Sequence, residues 1–247
     1  MKTILITGAT AGFGEAAARK FASGGWYVVG TGRRGDRLRR LKEELRDAFL
    51  PLEIDMRDIG AVESLAGLSP PWDEIDLLLN NAGLAPPTDP LPDTGWSRMA
   101  DVIDTNITGL VALTRALLPK LVERKGQIIN LSSVAATYPY KGGAVYAGTK
   151  AFVRQFSLGL RSDLAGTGVR VTSVEPGMAE TEFTIVRTGG DKEASDKLYA
   201  GMNPMTADDL ADLFWWLANL SPHLNINTIE LMPVSQSFAG FMVEREG

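Results

Sequence analysis

The chain is predicted to fold as a single α/β domain, a doubly wound parallel sheet of about seven strands with helices on both faces. Three observations carry that prediction. The 247 residues contain no linker, internal repeat or low-complexity stretch, which suits one large domain over residues 1–247. Short β-branched runs alternate with amphipathic stretches along the chain, the pattern of parallel strands joined by crossover helices. Several strand runs, such as Ile75 to Leu79 broken only by Asp76, are almost wholly apolar, as expected where helices cover both faces of a sheet.

Taken in order, strands are expected near 3–7, 26–31, 50–54, 75–80, 127–131, 170–175 and 228–231. Helices are expected near 13–23, 37–48, 59–67, 97–121, 146–165 and 207–219, several with apolar residues at three- and four-residue spacing. The first strand runs into a glycine-rich turn and an alanine-rich helix. The second ends Val28-Val29-Gly30 and leads into an arginine-rich helix, with Asp36 expected as its cap. The third closes at Asp55. After the fourth, Leu84 to Gly95 holds four prolines and reads as a rigid loop. Met178 to Asn203 carries no clear period, contains Gly189-Gly190-Asp191 and exceeds an ordinary connection, so a substrate lid is expected at about 178–203. Met232 to Phe241 is too apolar for a free tail and is expected to pack on its own or a neighbouring subunit.

Composition narrows the chemistry. With 45% hydrophobic and 22% charged residues, the chain can bury a large core. It has no cysteine, which excludes disulfide scaffolds, thiolate metal sites and a cysteine nucleophile. His223 is the single histidine, so neither a multi-histidine metal site nor a conventional Ser-His-Asp triad is favoured. A net charge of −5 disfavours nucleic acid or anionic membrane as partner. The opening apolar run is too short for a signal-peptide core, and no run of about eighteen apolar residues occurs, so a cytoplasmic protein with no membrane span is expected.

The segment Thr7-Gly8-Ala9-Thr10-Ala11-Gly12-Phe13-Gly14 links strand to helix. It puts glycines where a tight turn needs unusual dihedrals, where backbone approaches a pyrophosphate, and where helix packs on strand. Gly8, Thr10, Gly12, Phe13 and Gly14 are therefore candidate dinucleotide contacts in a Rossmann-type fold, with phosphates facing the helix N-terminus. The spacing Gly-x-x-x-Gly-x-Gly lacks the Gly-Lys-Ser/Thr of a P-loop, so ATP hydrolysis is disfavoured. Where the second strand ends, an acidic residue would accept from a ribose 2′-hydroxyl; Gly32-Arg33-Arg34 stands there instead. Arg33 and Arg34 are read as a clamp for a 2′-phosphate, which selects NADP(H), and Arg37, Arg39 and Arg40 as a solvated helix face. Asp55 either accepts the adenine amino group or caps the helix near Asp58.

Tyr146 and Lys150 lie four apart on a predicted helix and project from one face. Ser133 sits just past the fifth strand, at the carboxyl edge where such sheets bind ligands. Free tyrosine has a pKa of about 10, so proton exchange at neutral pH needs a shift worth roughly 4 kcal/mol. One ammonium about 4 Å away at an effective dielectric near 20 is worth about as much, and Lys150 is expected to supply it. Ser132 is expected to satisfy local backbone rather than take part.

These residues, with Asn80-Asn81-Ala82-Gly83, Asn106 and Pro176-Gly177, give the whole chain a resemblance to the short-chain dehydrogenase/reductase family. The resemblance implies that Tyr146 exchanges the hydroxyl proton, Ser133 hydrogen-bonds the carbonyl oxygen, Lys150 holds the nicotinamide ribose and Asn106 fixes a relay water, with no metal. It implies cofactor contacts at Asn81, Ala82, Gly83, Pro176 and Gly177, and at Thr181, with Thr184 competing for that last role. The runs 154–158, 175–177 and 225–240 are similar to bacterial NADP-dependent serine and 3-hydroxy acid dehydrogenases, apart from Met178-Ala179-Glu180-Thr181, where that group tends to carry a longer, glycine-rich run. Hydride transfer between NADP(H) and a small 3-hydroxy acid is the expectation that follows. The alternatives are a broader carbonyl reductase and a non-catalytic dinucleotide sensor. A carboxylate substrate wants a cation: Arg187 is the choice, against the reading that Arg187, Lys192 and Lys197 are all solvent-facing. Family members pair the helices near 107–121 and 146–165 across a dimer interface, so a homo-oligomer, tetramer or dimer, is expected.

Overall fold

Alternation along the first strand sets the architecture. In β1 (Thr3–Ile6), Ile4 and Ile6 join one buried cluster and Leu5 joins another, so both faces of the strand are covered. The same holds for β2 (Tyr27–Gly32), where Val28 and Val29 part in the same way. The computed structural model describes residues 1–237, and its sheet runs β3 (Phe49–Glu53), β2, β1, β4 (Ile75–Asn80), β5 (Gln127–Leu131), β6 (Arg170–Pro176), β7 (Thr228–Leu231), all parallel. Ile6 lies between Gly30 of β2 and Leu79 of β4, so the chain winds away from β1 in both directions. The crevice between β1 and β4 is the switch point at which such sheets bind ligands.

One layer consists of α1 (Gly12–Ser23), α2 (Gly35–Leu45) and α9 (Ala207–Ala218), which bury Phe21, Leu38 and Phe214. The other consists of α3 (Ile59–Ser64), α5 (Leu110–Arg124) and α6 (Ala144–Asp163), which bury Val62, Leu117 and Leu160. Every expected strand is present. Among the described residues no helix is long and apolar enough to cross a membrane.

Three expected elements differ. The helix expected over 97–121 is divided into α4 (Trp96–Ile103), a wide π-turn over Asp104–Gly109, and α5. Gly109 passes so close to the Met56 backbone that a Cβ would stand 2.2 Å from the Met56 carbonyl oxygen. Asp36 does not cap α2, because the helix begins at Gly35 and Arg34 holds the cap position; Asp36 pairs with Arg40 instead. The aperiodic stretch at 178–203 contains α7 (Glu182–Arg187) and α8 (Lys192–Tyr199), capped by the side chains of Thr181 and Asp191. Between them Gly189 and Gly190 adopt φ of +73° and +97°, which reverses the chain and limits each helix to about two turns. Gln236 folds back to accept from the Met178 amide at 2.7 Å, so the start of the apolar C-terminal segment packs on its own chain; 238–241 lie outside the described residues.

Candidate functional site

A cleft of about 900 Å³ runs along the carboxyl ends of the strands from the end of β2 to the 178–203 segment. Its floor is the glycine turn. Gly8 and Gly12 have φ of +72° and +53°, conformations that a side chain would strain. A Cβ on Gly14 would stand 2.3 Å from the Gly8 carbonyl oxygen, so glycine there permits α1 to begin against β1. Asn81 and Thr7 pin this turn to the end of β4: Asn81 Nδ2 donates to the Thr7 carbonyl at 2.8 Å, and Thr7 Oγ1 accepts from the amides of Asn81 and Ala82.

At the β2 end of the cleft, Arg33 is exposed on the rim and Arg34 is half-buried in the lining, while Arg37 is half-buried outside it. Arg34 donates to Thr10 Oγ1 and to Glu182, and Arg37 takes both oxygens of Glu182. The assignment of Arg37 to a solvated face is thereby corrected: its guanidinium is held by the Glu182 carboxylate and the Thr10 carbonyl, partners far away in the chain. Asp55 lines the cleft but does not cap α3, since Asp58 does so by accepting from the Ala61 amide. Arg57 grips the Asp55 carboxylate and holds its pKa below the usual range.

The α6 helix delivers Tyr146 and Lys150 to the other end, both buried. It is held in register by Ser132, whose hydroxyl donates to the Lys150 carbonyl at 2.7 Å, as expected of a local backbone partner. Ser133 stands two residues past the end of β5, with its hydroxyl hydrogen-bonded to Tyr146 and accepting from the Ala135 amide. Asn106 lies behind the wall, 1% exposed, accepting from the Leu84 amide and donating to the Leu84 carbonyl and to Thr149 Oγ1. Both amide hydrogens are spent, so its side chain positions the Leu84 loop and α6. Gly14 and Asn106 are the predicted site residues that do not line the cleft.

The electrostatics correct one expectation. Tyr146 is not made acidic by Lys150: burial pushes its pKa up to about 12, against smaller lowering by the Ser133 hydrogen bond and by Arg187. Lys150 is itself pushed down to about 8 by burial. Its Nζ lies 5.7 Å from the centre of the Tyr146 ring and donates to the Leu131 carbonyl at 2.7 Å. The isolated-pair sum from spacing omitted the cost of removing both charged forms from water, and here that cost dominates.

Arg187 enters from α7. Its guanidinium lies 5.4 Å from the Tyr140 ring centre and 5.7 Å from that of Tyr146, and Nη2 donates to the Tyr140 hydroxyl at 2.9 Å. Its Nε is buried with no hydrogen-bond partner among the described residues. Lys192 and Lys197 are surface groups paired with Asp196 and Glu193. Thr181 leans over the glycine turn, its Cβ 3.4 Å from where a Cβ of Gly12 would stand. Thr184 instead shares a 2.5 Å hydrogen bond with Tyr199. Tyr140, Glu182 and Tyr199 escaped the sequence reading. Only Glu182 carried a signal, as an acid following a Thr cap.

A glycine turn at the switch point, with a buried Ser, Tyr and Lys converging beyond it, defines a dinucleotide-dependent oxidoreductase site. The chain belongs to the short-chain dehydrogenase family, whose model matches residues 2–190. It is 60% identical over 245 residues to the serine 3-dehydrogenase of Agrobacterium fabrum, covering 99% of this chain and 98% of that protein. It is 50% identical over 246 residues to the NADP-dependent 3-hydroxy acid dehydrogenase YdfG of Escherichia coli K12, covering 98% of this chain and 99% of that protein. Among solved structures, the closed form of a serine dehydrogenase complexed with NADP+ superposes with a TM-score of 0.96 at 49% identity, covering 99% of this chain and 100% of that one.

Proposed function

We propose that this chain is an NADP(H)-dependent dehydrogenase acting on small 3-hydroxy acids of the serine, 3-hydroxypropionate or 3-hydroxyisobutyrate type, and on the matching 3-oxo acids or semialdehydes. The single observation that carries the substrate class is Arg187, a guanidinium with a buried, unpartnered Nε beside the Tyr146 ring. A guanidinium so placed wants a carboxylate. The serine and 3-hydroxy acid dehydrogenase relatives agree with that choice.

The residues present fit the cofactor. The glycine turn leaves the backbone bare where a Cβ would obstruct a pyrophosphate, and Arg33 stands exposed at the ribose corner to meet a 2′-phosphate. Ala82, Gly83, Pro176 and Gly177 wall the crevice, Phe13 closes it, and Thr181 stands at the nicotinamide end. When bound, NADP(H) supplies or accepts the hydride.

The chain's own residues manage the charge and the proton. Ser133 and Tyr146 present two hydroxyl donors to a developing alkoxide. With a pKa of about 12, Tyr146 is neutral at physiological pH and gives its proton in the reduction direction; oxidation requires it to take one, which rising pH favours. Lys150 contributes a positive charge below about pH 8 and holds the nicotinamide ribose, with Asn106 fixing the wall behind it. The 178–203 segment is the lid: α7 carries Arg187 over the substrate and Thr181 over the glycine turn.

The enzyme works in the cytoplasm as a homo-oligomer, a tetramer or dimer. Supporting the latter, the outer face of α6 shows Gly148 and Gly159 against open space, with Phe152 exposed between them and stacked on Phe156. The test of the activity is steady-state turnover of serine, 3-hydroxypropionate and 3-hydroxyisobutyrate beside neutral alcohols and ketones, with both nicotinamide cofactors. Preference for the acids with NADP+ is expected; equal use of neutral carbonyls would leave a broader reductase.

A further inference from the structure

The lid is tied down at the first residue of α7. Glu182, the first residue of α7, is gripped by Arg37, with Nη1 to Oε2 at 2.6 Å and Nη2 to Oε1 at 2.7 Å, and Arg34 Nη1 adds a third bond to Oε2 at 2.8 Å. Both arginines reach on to the glycine turn, Arg34 to Thr10 Oγ1 and Arg37 to the Thr10 carbonyl. The Arg37 hydrogen bonds first, and those of Arg34 after them, hold the Glu182 carboxyl below its usual range. A single exposed ion pair would contribute little, but this one is two-pronged, half-buried and part of a network.

We infer that Glu182 is a positioning residue that latches the lid to the glycine turn through Arg37 and Arg34. The inference rests on the reading of 178–203 as the substrate lid. A latch at the first residue of a six-residue helix fixes the whole of it: Thr181 on one side against Gly12, and Arg187 at its far end above Tyr146. The labour is divided. Arg37 alone satisfies both carboxylate oxygens, so the latch holds when the fork of Arg34 turns to a 2′-phosphate.

Glu182→Gln in the full chain tests this by hydrogen exchange of the α7 amides without substrate, and by steady-state turnover of a 3-hydroxy acid. Exchange at 182–187 is expected to accelerate about tenfold. KM is expected to rise about tenfold with kcat within about threefold of the parent. Arg37→Gln should reproduce both changes, and the double variant should lose little more than either single one. A charge-swapped pair, Glu182→Arg with Arg37→Glu, should recover part of the loss if the single variants are poorly folded. Unchanged α7 exchange in Glu182→Gln, or losses that multiply in the double variant, would overturn the latch. Faster exchange with an unchanged KM would keep the latch and strike out Arg187 as the substrate's carboxylate partner, so the two readings fail separately.

Discussion

Removing the Arg187 guanidinium should cost the enzyme its preference for acids while sparing its chemistry. With Nη2 engaged by Tyr140 and Nε unpartnered, the guanidinium keeps donors for a substrate carboxylate. A charge-assisted hydrogen bond contributes about 1.5–3 kcal/mol, and a two-pronged pair lost from a half-buried site about 3 kcal/mol. That corresponds to roughly 150-fold in kcat/KM. The assay is Arg187→Ala in the reduction direction, with a semialdehyde carboxylate against a neutral aldehyde of equal length. Direction matters, because Arg187 also lowers the Tyr146 pKa, and a proton donor already fully protonated at neutral pH is little affected when that pKa rises. Neutral aldehyde reduction should therefore stay within about fivefold. Arg187→Lys should recover only part of the loss, since an ammonium lacks the planar fork. Equal losses for charged and neutral substrates would refute the carboxylate assignment.

Arg33→Ala should weaken NADPH binding about tenfold or more and leave NADH within about twofold, measured by quenching of protein fluorescence, because Arg33 is exposed on the cleft rim where the proposal sets the 2′-phosphate. Gly14→Ala should lower stability by about 1–3 kcal/mol in chemical unfolding and weaken both cofactors alike, since the new methyl meets the Gly8 carbonyl oxygen at 2.3 Å. For pH, the tyrosinate fraction below a pKa of about 12 grows with each unit of pH, so kcat/KM for hydroxy acid oxidation should climb from pH 7 toward 10 and bend as Lys150 discharges near 8. Reduction should show no such climb, and a flat oxidation profile would count against Tyr146 as the acceptor.

Much of the fold was legible because two local patterns do the specifying. The continuous apolar run of Ile4, Leu5 and Ile6, buried on both faces of the sheet, and the four-residue spacing of Tyr146 and Lys150 are properties of single elements, so they survive into the structure unchanged. The glycine turn was legible for the same reason, as a local demand for bare backbone at Gly8 and Gly12. What the sequence hid depends on partners far away in the chain. The grip of Arg37 on Glu182 joins residues 145 apart, and the contact of Tyr140 with Arg187 joins residues 47 apart. The Tyr146 pKa was misjudged because spacing reveals a charge one turn away but not the burial that opposes it. The two short helices of the 178–203 segment were missed although Thr181 and Asp191 are ordinary cap residues, since helices this short present too few turns for a period to emerge.

The central claim is that a neutral, buried Tyr146 hydroxyl exchanges the substrate proton. Turnover by Tyr146→Phe, measured in both directions beside NADPH binding by fluorescence, addresses it most directly. A loss of about a thousandfold or more, with NADPH affinity within about threefold of the parent, is the predicted result. Turnover within tenfold of the parent would contradict it.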